Sequence, residues 1–538
     1  MRRSKIVSVT AILVASLVLL AACVPTAPGV PATAPAQPAP STAVPAQPAL
    51  PTTAPAASKV IRIATAQGCT TMSISLAGGM GPCEIQIHQI FEPLTWRTVD
   101  GKIVPLLATS WNMVDQNDWQ VKLRQGVKFQ NGEDFNADAV KFSYDKALDP
   151  KNNWPIRSNI QLIDRVDTVD NYTVNFHTSK PWPDFPFFAA SVYIMPPKLT
   201  QQVGDDGLIA NPVGTGPFQF VEFVPGDHLT LKAFDGYWGG RVKIDQVVWR
   251  IIPEPATRVA SLQAGETDIA AQIPMDLLPV VKGDANLHVD FANEQVTLQL
   301  FMDTLPANGS PVADKRVRQA IDSAIDRDTI WKALMGGVGA VNGQMLTPGI
   351  FGYDPDIKPT PYDPDKAKQL LAAAGYPNGL KLQLQCPVGK YLVDRDACLA
   401  IKDQLAKVGI DVQANIMETA AWAPYLQDPK KRADMIYVGW YSYGNPAQAM
   451  QWFSKTQAWH RWENDQYDQL FLDAKTNTDD KARQQDYFKM AEIVKEEVPS
   501  VFLMQQAAPY GVSNRVLNFK PHPIQYIDLL HVDLKAPK

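Results

Sequence analysis

The residues with the clearest capacity for chemistry lie in one 28-residue stretch, 435–462, which reads MIYVGWYSYGNPAQAMQWFSKTQAWHRW. It holds Tyr437, Trp440, Tyr441, Tyr443, Trp452, Phe453, Trp459 and Trp462 and no acid, in a chain that is 9% aromatic. The chemistry such a set supports is non-covalent capture. Flat rings give large contact area with few rotors, and Tyr and Trp add a polar handle. Turn formers alternate with aromatics in Gly439-Trp440-Tyr441-Ser442-Tyr443-Gly444-Asn445-Pro446, and glycine, Asn and Pro mark loops. Loops carried by a rigid scaffold are where ligands are commonly met. Trp440, Tyr441, Tyr443, Asn445, Trp452, Trp459 and Arg461 are therefore the expected ligand-binding residues. Stacking rings with Asn, Gln, Ser and Tyr suit polyhydroxyl solutes, whereas Arg461 would favour a carboxylate. Trp440→Ala is expected to weaken binding by about 1 kcal/mol or more.

Covalent chemistry finds no comparable constellation. There is no G-x-S-x-G, no Walker A loop, and no G-x-G-x-x-G opening a helix after a strand. The Glu133-Asp134 pair sits in a polar turn, and Asp303 stands alone at the end of an apolar run. The seven histidines are scattered without an H-E-x-x-H, and the cysteine spacings do not suit zinc. We expect no enzyme activity, no metal and no cofactor. Net charge is −5, and the only charges in 1–57 are three basic residues, so the remainder is more acidic still. Nucleic acid is not an expected partner.

The elements that must hold the aromatic stretch follow from periodicity. Strands are expected at 60–64, 119–124 and 173–177, with a helix after Asn136 carrying Val140, Tyr144, Ala147 and Leu148 on one face. Asp314, Asp326 and Asp363 read as N-caps, the last followed by Pro364 at N1 and closed by Gly375. Beyond residue 380, strands near 380–385, 410–416 and 435–438 alternate with helices near 400–408 and 422–426. This implies βαβ units on a parallel sheet, whose strand-end loops meet ligands. The apolar runs at 299–303 and 501–504 read as two crossings between lobes.

The N-terminus is an address. Arg2, Arg3 and Lys5 precede a 15-residue apolar run, 6–20, too short to cross a bilayer. It ends Leu20-Ala21-Ala22-Cys23, similar to a bacterial lipobox, which makes Cys23 the expected lipidation site. From Pro25 to Pro55 there are ten prolines, so 24–58 is expected to be an extended stalk. Cys69, Cys83, Cys386 and Cys398 are expected to oxidise in an exported protein. Three pairings are open, and proximity favours Cys69–Cys83 and Cys386–Cys398, each worth about 3 kcal/mol by chain entropy.

The segment WQVKLRQGVKFQNGEDFNADAVKFSYDKAL, 119–148, resembles the family 5 solute-binding proteins of ABC importers. Further matches follow in order: Gly214-Thr215-Gly216-Pro217-Phe218, Tyr237-Trp238-Gly239-Gly240, Thr257-Arg258, Gly265-Glu266-Thr267-Asp268-Ile269, Asp314 to Ala320, Ala324-Ile325-Asp326-Arg327, Tyr362-Asp363-Pro364 and Ala374-Gly375-Tyr376. Together they cover about 60–515. The resemblance implies an α/β, two-lobed periplasmic-binding-protein-like fold with an extra domain in the first lobe and a hinge between lobes. The expected division is a signal and lipobox at 1–23 and a linker at 24–58. Lobe I would comprise 59–92, 211–305 and 505–538, its extra domain 93–210, and lobe II 306–504. The implied function is a membrane-tethered extracytoplasmic receptor, a monomer on the outer face of the cell membrane, that delivers a solute to ABC importer permease subunits. Peptide members hold the α-ammonium with an acid a few residues after the Gly-Trp. Here Tyr443 lies roughly at that place, so another carboxylate must serve if peptides bind. An oligopeptide ligand is expected first, an oligosaccharide second. An envelope chaperone or adhesion-like protein is the reading from another class.

Overall fold

The computed structural model describes residues 58–76, 83–305 and 309–535. The signal, Cys23 and nearly all of the proline-rich linker lie outside the described residues. Among the described residues, no helix is long and apolar enough to cross a membrane.

Two long strands organise the rest. Leu287–Met302 has 16 residues and Ser500–Ser513 has 14. They pair antiparallel from Leu287↔Ser513 to Phe301↔Ser500, with the ladder interrupted between Asn293 and Thr297. The segments expected as crossings thus fall within two much longer strands, apart from Asp303, which follows the end of the first. Each strand contributes to two separate cores. Ala292, Ala508, Tyr510 and Val512 pack with Ile61, Ile63, Val247 and Trp249 in the first lobe. Val296, Leu298, Leu300, Val501 and Leu503 pack with Leu382, Leu384, Ile401 and Tyr437 in the second. Ser500–Ser513 is buried almost end to end, whereas Leu287–Met302 is buried from Glu294 onward and partly exposed before it.

Around this pair the sheet grows in both directions. On one side, Leu380–Val388 lies parallel to both Ile410–Glu418 and Met435–Tyr441, and the last pairs antiparallel with Leu287–Met302. Helices Asp394–Ala406 and Thr419–Gln427 connect these strands, giving the βαβ order expected from the sequence. On the other side, Ile269–Ala271 pairs with Ser500–Ser513, followed by Val60–Thr65 and three further strands. A separate four-stranded sheet, Ala108–Asp115, Asp118–Leu123, Thr173–Thr178 and Ile163–Asp170, is covered by helix Ala137–Leu148. Its core, which includes Val121, Phe129, Tyr144, Val166 and Phe176, is drawn from 94–194.

Local chemistry sets the ends of these elements. Asn136 accepts from the Ala139 amide at 3.1 Å, Asp326 from Thr329 at 3.0 Å and Asp363 from Lys366 at 2.9 Å. Asp314 accepts from Arg316 at 2.8 Å. Each cap satisfies an amide that the first helical turn leaves unpaired. The cysteines form two disulfides, Cys69–Cys83 and Cys386–Cys398.

Two of the sequence motifs meet at one buried carboxylate. Glu92 accepts hydrogen bonds at 2.8 Å from the Thr215 hydroxyl, the Tyr237 hydroxyl and the Trp238 indole. The glycines flanking Thr215 lie against the chain before Glu92. A Cβ on Gly214 would come within 2.1 Å of the Ile90 carbonyl oxygen, and one on Gly216 within 2.6 Å of that of Gln89. The Gly-Thr-Gly and Tyr-Trp motifs therefore serve one packed junction.

Candidate functional site

The aromatic stretch divides into a face and a core. Strand Met435–Tyr441 ends at Trp440 and Tyr441, and a turn follows in which the Asn445 amide donates to the Ser442 carbonyl at 2.8 Å. Tyr443 occupies this turn at φ +51°, a left-handed conformation that a bulky residue rarely adopts. Its ring stacks on Tyr441, with centroids 5.1 Å apart and planes at 15°. Both rings are half-buried and face residues of the other lobe.

The remaining expected contacts lie elsewhere. Trp452 is 1% exposed and is packed among Phe301, Trp440 and Trp459 in the second-lobe core. Trp459 is half-buried against it. Asn445 caps helix Pro446–Met450 through the Gln448 amide at 2.9 Å, a structural duty that occupies its side-chain oxygen. Arg461 has no exposed surface. It donates to the Tyr425 carbonyl, lies 5.9 Å from the Phe301 ring centroid and is held near 10 by burial, with Asp303 opposing that shift. Trp452, Trp459, Asn445 and Arg461 thus have packing, capping or hydrogen-bond partners within the second lobe. The reason is physical: a dense run of rings needs its own backing, and half of this one supplies it. Trp440 is intermediate; it stays half-buried, with its indole N–H donating to the Gln448 carbonyl at 3.0 Å.

Opposite Tyr441 and Tyr443 stands a wall from the first lobe. His88, Trp96 and Tyr526 form a stack with centroids 5.1–5.5 Å apart, and His522 adds a fourth ring 5.3 Å from Tyr526. Burial pushes His522 down to about 4, so it is neutral at physiological pH. Glu84, only 1% exposed, accepts from the hydroxyls of Tyr526 and Tyr193. Arg97 lies 4.2 Å from the Phe187 ring centroid and donates to Ser191. The Tyr443 phenol is pushed up to about 12, first by burial and then by the Glu84 and Glu294 carboxylates.

The floor between the walls is where the long-strand ladder breaks. Glu294 is fully buried there. Its carboxylate accepts from the Gln525 amide at 2.6 Å and from the Gln506 amide, and Gln525 also approaches the Tyr441 hydroxyl at 3.5 Å. Sequence reading missed Glu84, Glu294, Gln506 and Gln525, which come from four distant segments. One signal was present: Gln505-Gln506 is an amide pair in a mostly apolar strand, and Glu294-Gln295 precedes the mostly apolar run 296–302.

The two halves touch beyond this floor. Arg483 pairs with Asp184 at 2.5 Å, both largely buried. A Cβ on Gly444 would lie 3.5 Å from Phe187 and 3.9 Å from the Gly101 carbonyl oxygen. Among the described residues no cluster of three His, Cys, Asp or Glu side chains could hold a metal.

Two lobes joined by two long strands, with aromatic and polar side chains converging from both sides, define the architecture of a cleft-type solute receptor. The profile described as "Bacterial extracellular solute-binding proteins, family 5 Middle" matches residues 102–461. The glutathione-binding protein GsiB of Pectobacterium atrosepticum is 30% identical over 451 residues, covering 81% of this chain and 86% of that one. The periplasmic binding protein DppA of Helicobacter pylori, solved with the peptide STSA, aligns with a TM-score of 0.70 at 25% identity, over 88% of this chain and 98% of its own. The substrate-binding protein CtaP of Listeria monocytogenes shares the fold with a TM-score of 0.80 at 23% identity, over 89% of this chain and 99% of that one. The chain belongs to the family 5 bacterial extracellular solute-binding proteins. That family consists of extracytoplasmic binding proteins rather than enzymes.

Proposed function

We propose that this protein captures a peptide-type solute in the cleft and delivers it to an ABC importer, with no catalytic step. The observation that carries this reading is the convergence of the Tyr441–Tyr443 pair and the Trp96–Tyr526 wall on a polar floor between two lobes that touch. Ligand pockets of this kind combine aromatic walls with a few placed polar groups. The relatives described as glutathione-binding and as holding the peptide STSA support peptide chemistry over other solutes. A lipid on Cys23, with 24–58 as a stalk, would tether the monomeric receptor to the outer face of the cell membrane.

Native mass spectrometry of residues 59–538 should reveal a co-purified peptide. Titration with dipeptides, tripeptides and glutathione should give a saturable change in tryptophan fluorescence, while oligosaccharides should give none. A response to oligosaccharides alone would overturn the peptide reading, and no small-solute response at all would favour a chaperone or adhesion role. Tyr443→Ala keeps the Cβ in the same left-handed turn and removes only the ring. It should weaken peptide binding by about 1 kcal/mol, roughly fivefold, as read by the same titration.

A further inference from the structure

Away from the cleft, the edge of the first-lobe core holds a cavity of about 200 Å³. Met72, Ile74, Trp154, Met195, Leu208 and Ile209 line it. None of them belongs to the Tyr441–Tyr443 pair, the Trp96–Tyr526 wall or the floor at Glu294. Met72, Met195 and Leu208 are buried and pack in one core with Ile61, Phe91 and Trp249, so the deep side of the cavity is fixed. Trp154 stands half-buried against the same core. Protein interiors are close-packed, and voids larger than a water molecule are few. An apolar cavity of about 150 Å³ already admits benzene. Size alone therefore allows one ring or two fused rings here.

The lining narrows the chemistry further. Two thioethers and an indole border the space, and contacts of sulfur or of a second ring with an aromatic guest are favourable. The rim is polar but electrically balanced. Asp205 lies 2.6 Å from the Lys146 ammonium, which in turn sits 5.9 Å from the ring centroids of Phe142 and Trp154. A charged guest would lose hydration against the apolar deep side and find its rim partner already paired. The Ser73 and Ser75 hydroxyls, also at the rim, share one hydrogen bond at 2.7 Å. Each hydroxyl has a donor and two acceptor sites, so the pair keeps capacity for one polar group on a guest.

One wall is built separately from the rest. Helix Pro197–Ala210 breaks at Gly204, where φ is +72° and ψ is 179°, a region occupied essentially by glycine alone. A Cβ there would meet nothing within 4 Å, so crowding does not force the break. Asp205, Leu208 and Ile209 all follow it, and the cavity is thus faced by a short half-helix set at its own angle.

We propose that this cavity is a second binding site, separate from the cleft, that takes a small neutral aromatic molecule of one or two rings. The guest lies between Trp154 and Leu208, with its polar atom toward Ser73 and Ser75. The cleft and this site are filled independently, so the inference stands or falls apart from the identity of the transported solute.

The test is isothermal titration calorimetry of residues 57–538, a compact unit of their own, with indole as the probe. Indole should bind saturably with a dissociation constant of about 1 mM or tighter. Indole-3-acetate, the same ring bearing a charge, should bind at least about tenfold more weakly. Ile209→Trp puts a ring of the chain's own into the space and should weaken indole at least about tenfold, with the urea midpoint close to wild type. Crystals of the wild-type chain soaked in a brominated indole supply a check that needs no variant. Anomalous scattering should place the bromine beside Trp154 and Leu208. A bromine beside Tyr443 or on the outer surface would overturn the assignment, as would unchanged indole affinity in a folded Ile209→Trp protein. Absence of saturable binding in solution would overturn it as well, and bromine in the cavity without it would mean binding at crystal concentration only.

Discussion

Replacing Arg483 with methionine should open the molecule and cost it at least about a hundredfold in ligand affinity. Arg483 reaches across the cleft from helix Asp480–Glu497 to Asp184, which precedes the short helix Phe185–Phe188. The two side chains are 6% and 11% exposed. Removing one partner of a buried pair strands the other, which typically costs about 3–5 kcal/mol. Here the molecule has an escape, because Asp184 regains water as soon as the lobes separate. The cost therefore appears as a loss of the touching arrangement rather than as unfolding. Solution X-ray scattering of the ligand-free protein should show a larger radius of gyration, and fluorescence titration should show the weakened binding. Arg483 also donates to the Ala474 carbonyl at 3.1 Å and to Asp480 at 3.1 Å, so its loss could loosen the two helices it joins. Asp184→Asn leaves those bonds in place and should move both measurements the same way. Unchanged scattering and affinity in the Asn variant would show that the pair does not hold the lobes together.

Glu92→Gln should become progressively more stable relative to wild type as pH rises, by about 3 kcal/mol between about pH 4.5 and 8. Burial lifts the Glu92 carboxyl from 4.5 to about 7, outweighing the Trp238, Thr215 and Tyr237 hydrogen bonds and the more distant Arg124. Below pH 4.5 the folded and unfolded chains both hold the proton. Through the window up to about 7 the unfolded chain ionises while the folded one does not. The unfolded state then binds fewer protons, so wild-type stability falls with rising pH and levels off above that window. A glutamine has no proton to lose and escapes this decline. Urea unfolding of both proteins at several pH values measures it. Glu294 and His522 titrate alike in both chains and cancel in the difference. A difference independent of pH would show that Glu92 titrates in the folded protein as it does in the unfolded chain.

How much of this could be read from the sequence depended on the distance over which each feature is decided. Caps such as Asn136, Asp326 and Asp363 act on amides three residues away, so residue type and spacing sufficed. The alternation of strands and helices beyond residue 380 is equally local. The turn at Ser442–Asn445 was legible from its glycine, Asn and Pro neighbours. Which rings of 435–462 face the cleft was not. Trp440 and Trp452 look alike in sequence, and only the packing of Phe301 against Trp452 tells them apart. The floor was least legible, because Glu294, Gln506 and Gln525 meet across more than two hundred positions. The Gly-Thr-Gly and Tyr-Trp motifs were visible as a resemblance, and their cause, the shared Glu92, appears only in three dimensions.

The second long strand sets the order in which the chain can finish. Ile269–Ala271 waits for Tyr510, Gly511 and Val512 as its partners, and Arg515 then donates to the Val60 carbonyl and pairs with Asp268. In the other half, Leu298 to Phe301 waits for Ser500 to Met504. Neither lobe can close its sheet until almost the whole chain has emerged. Such long-range pairing folds slowly, because distant segments must meet before any contact compensates for the lost entropy. Chains ending before Ser500 should consequently lack slow amide exchange in both lobes, although most of the residues of each are present.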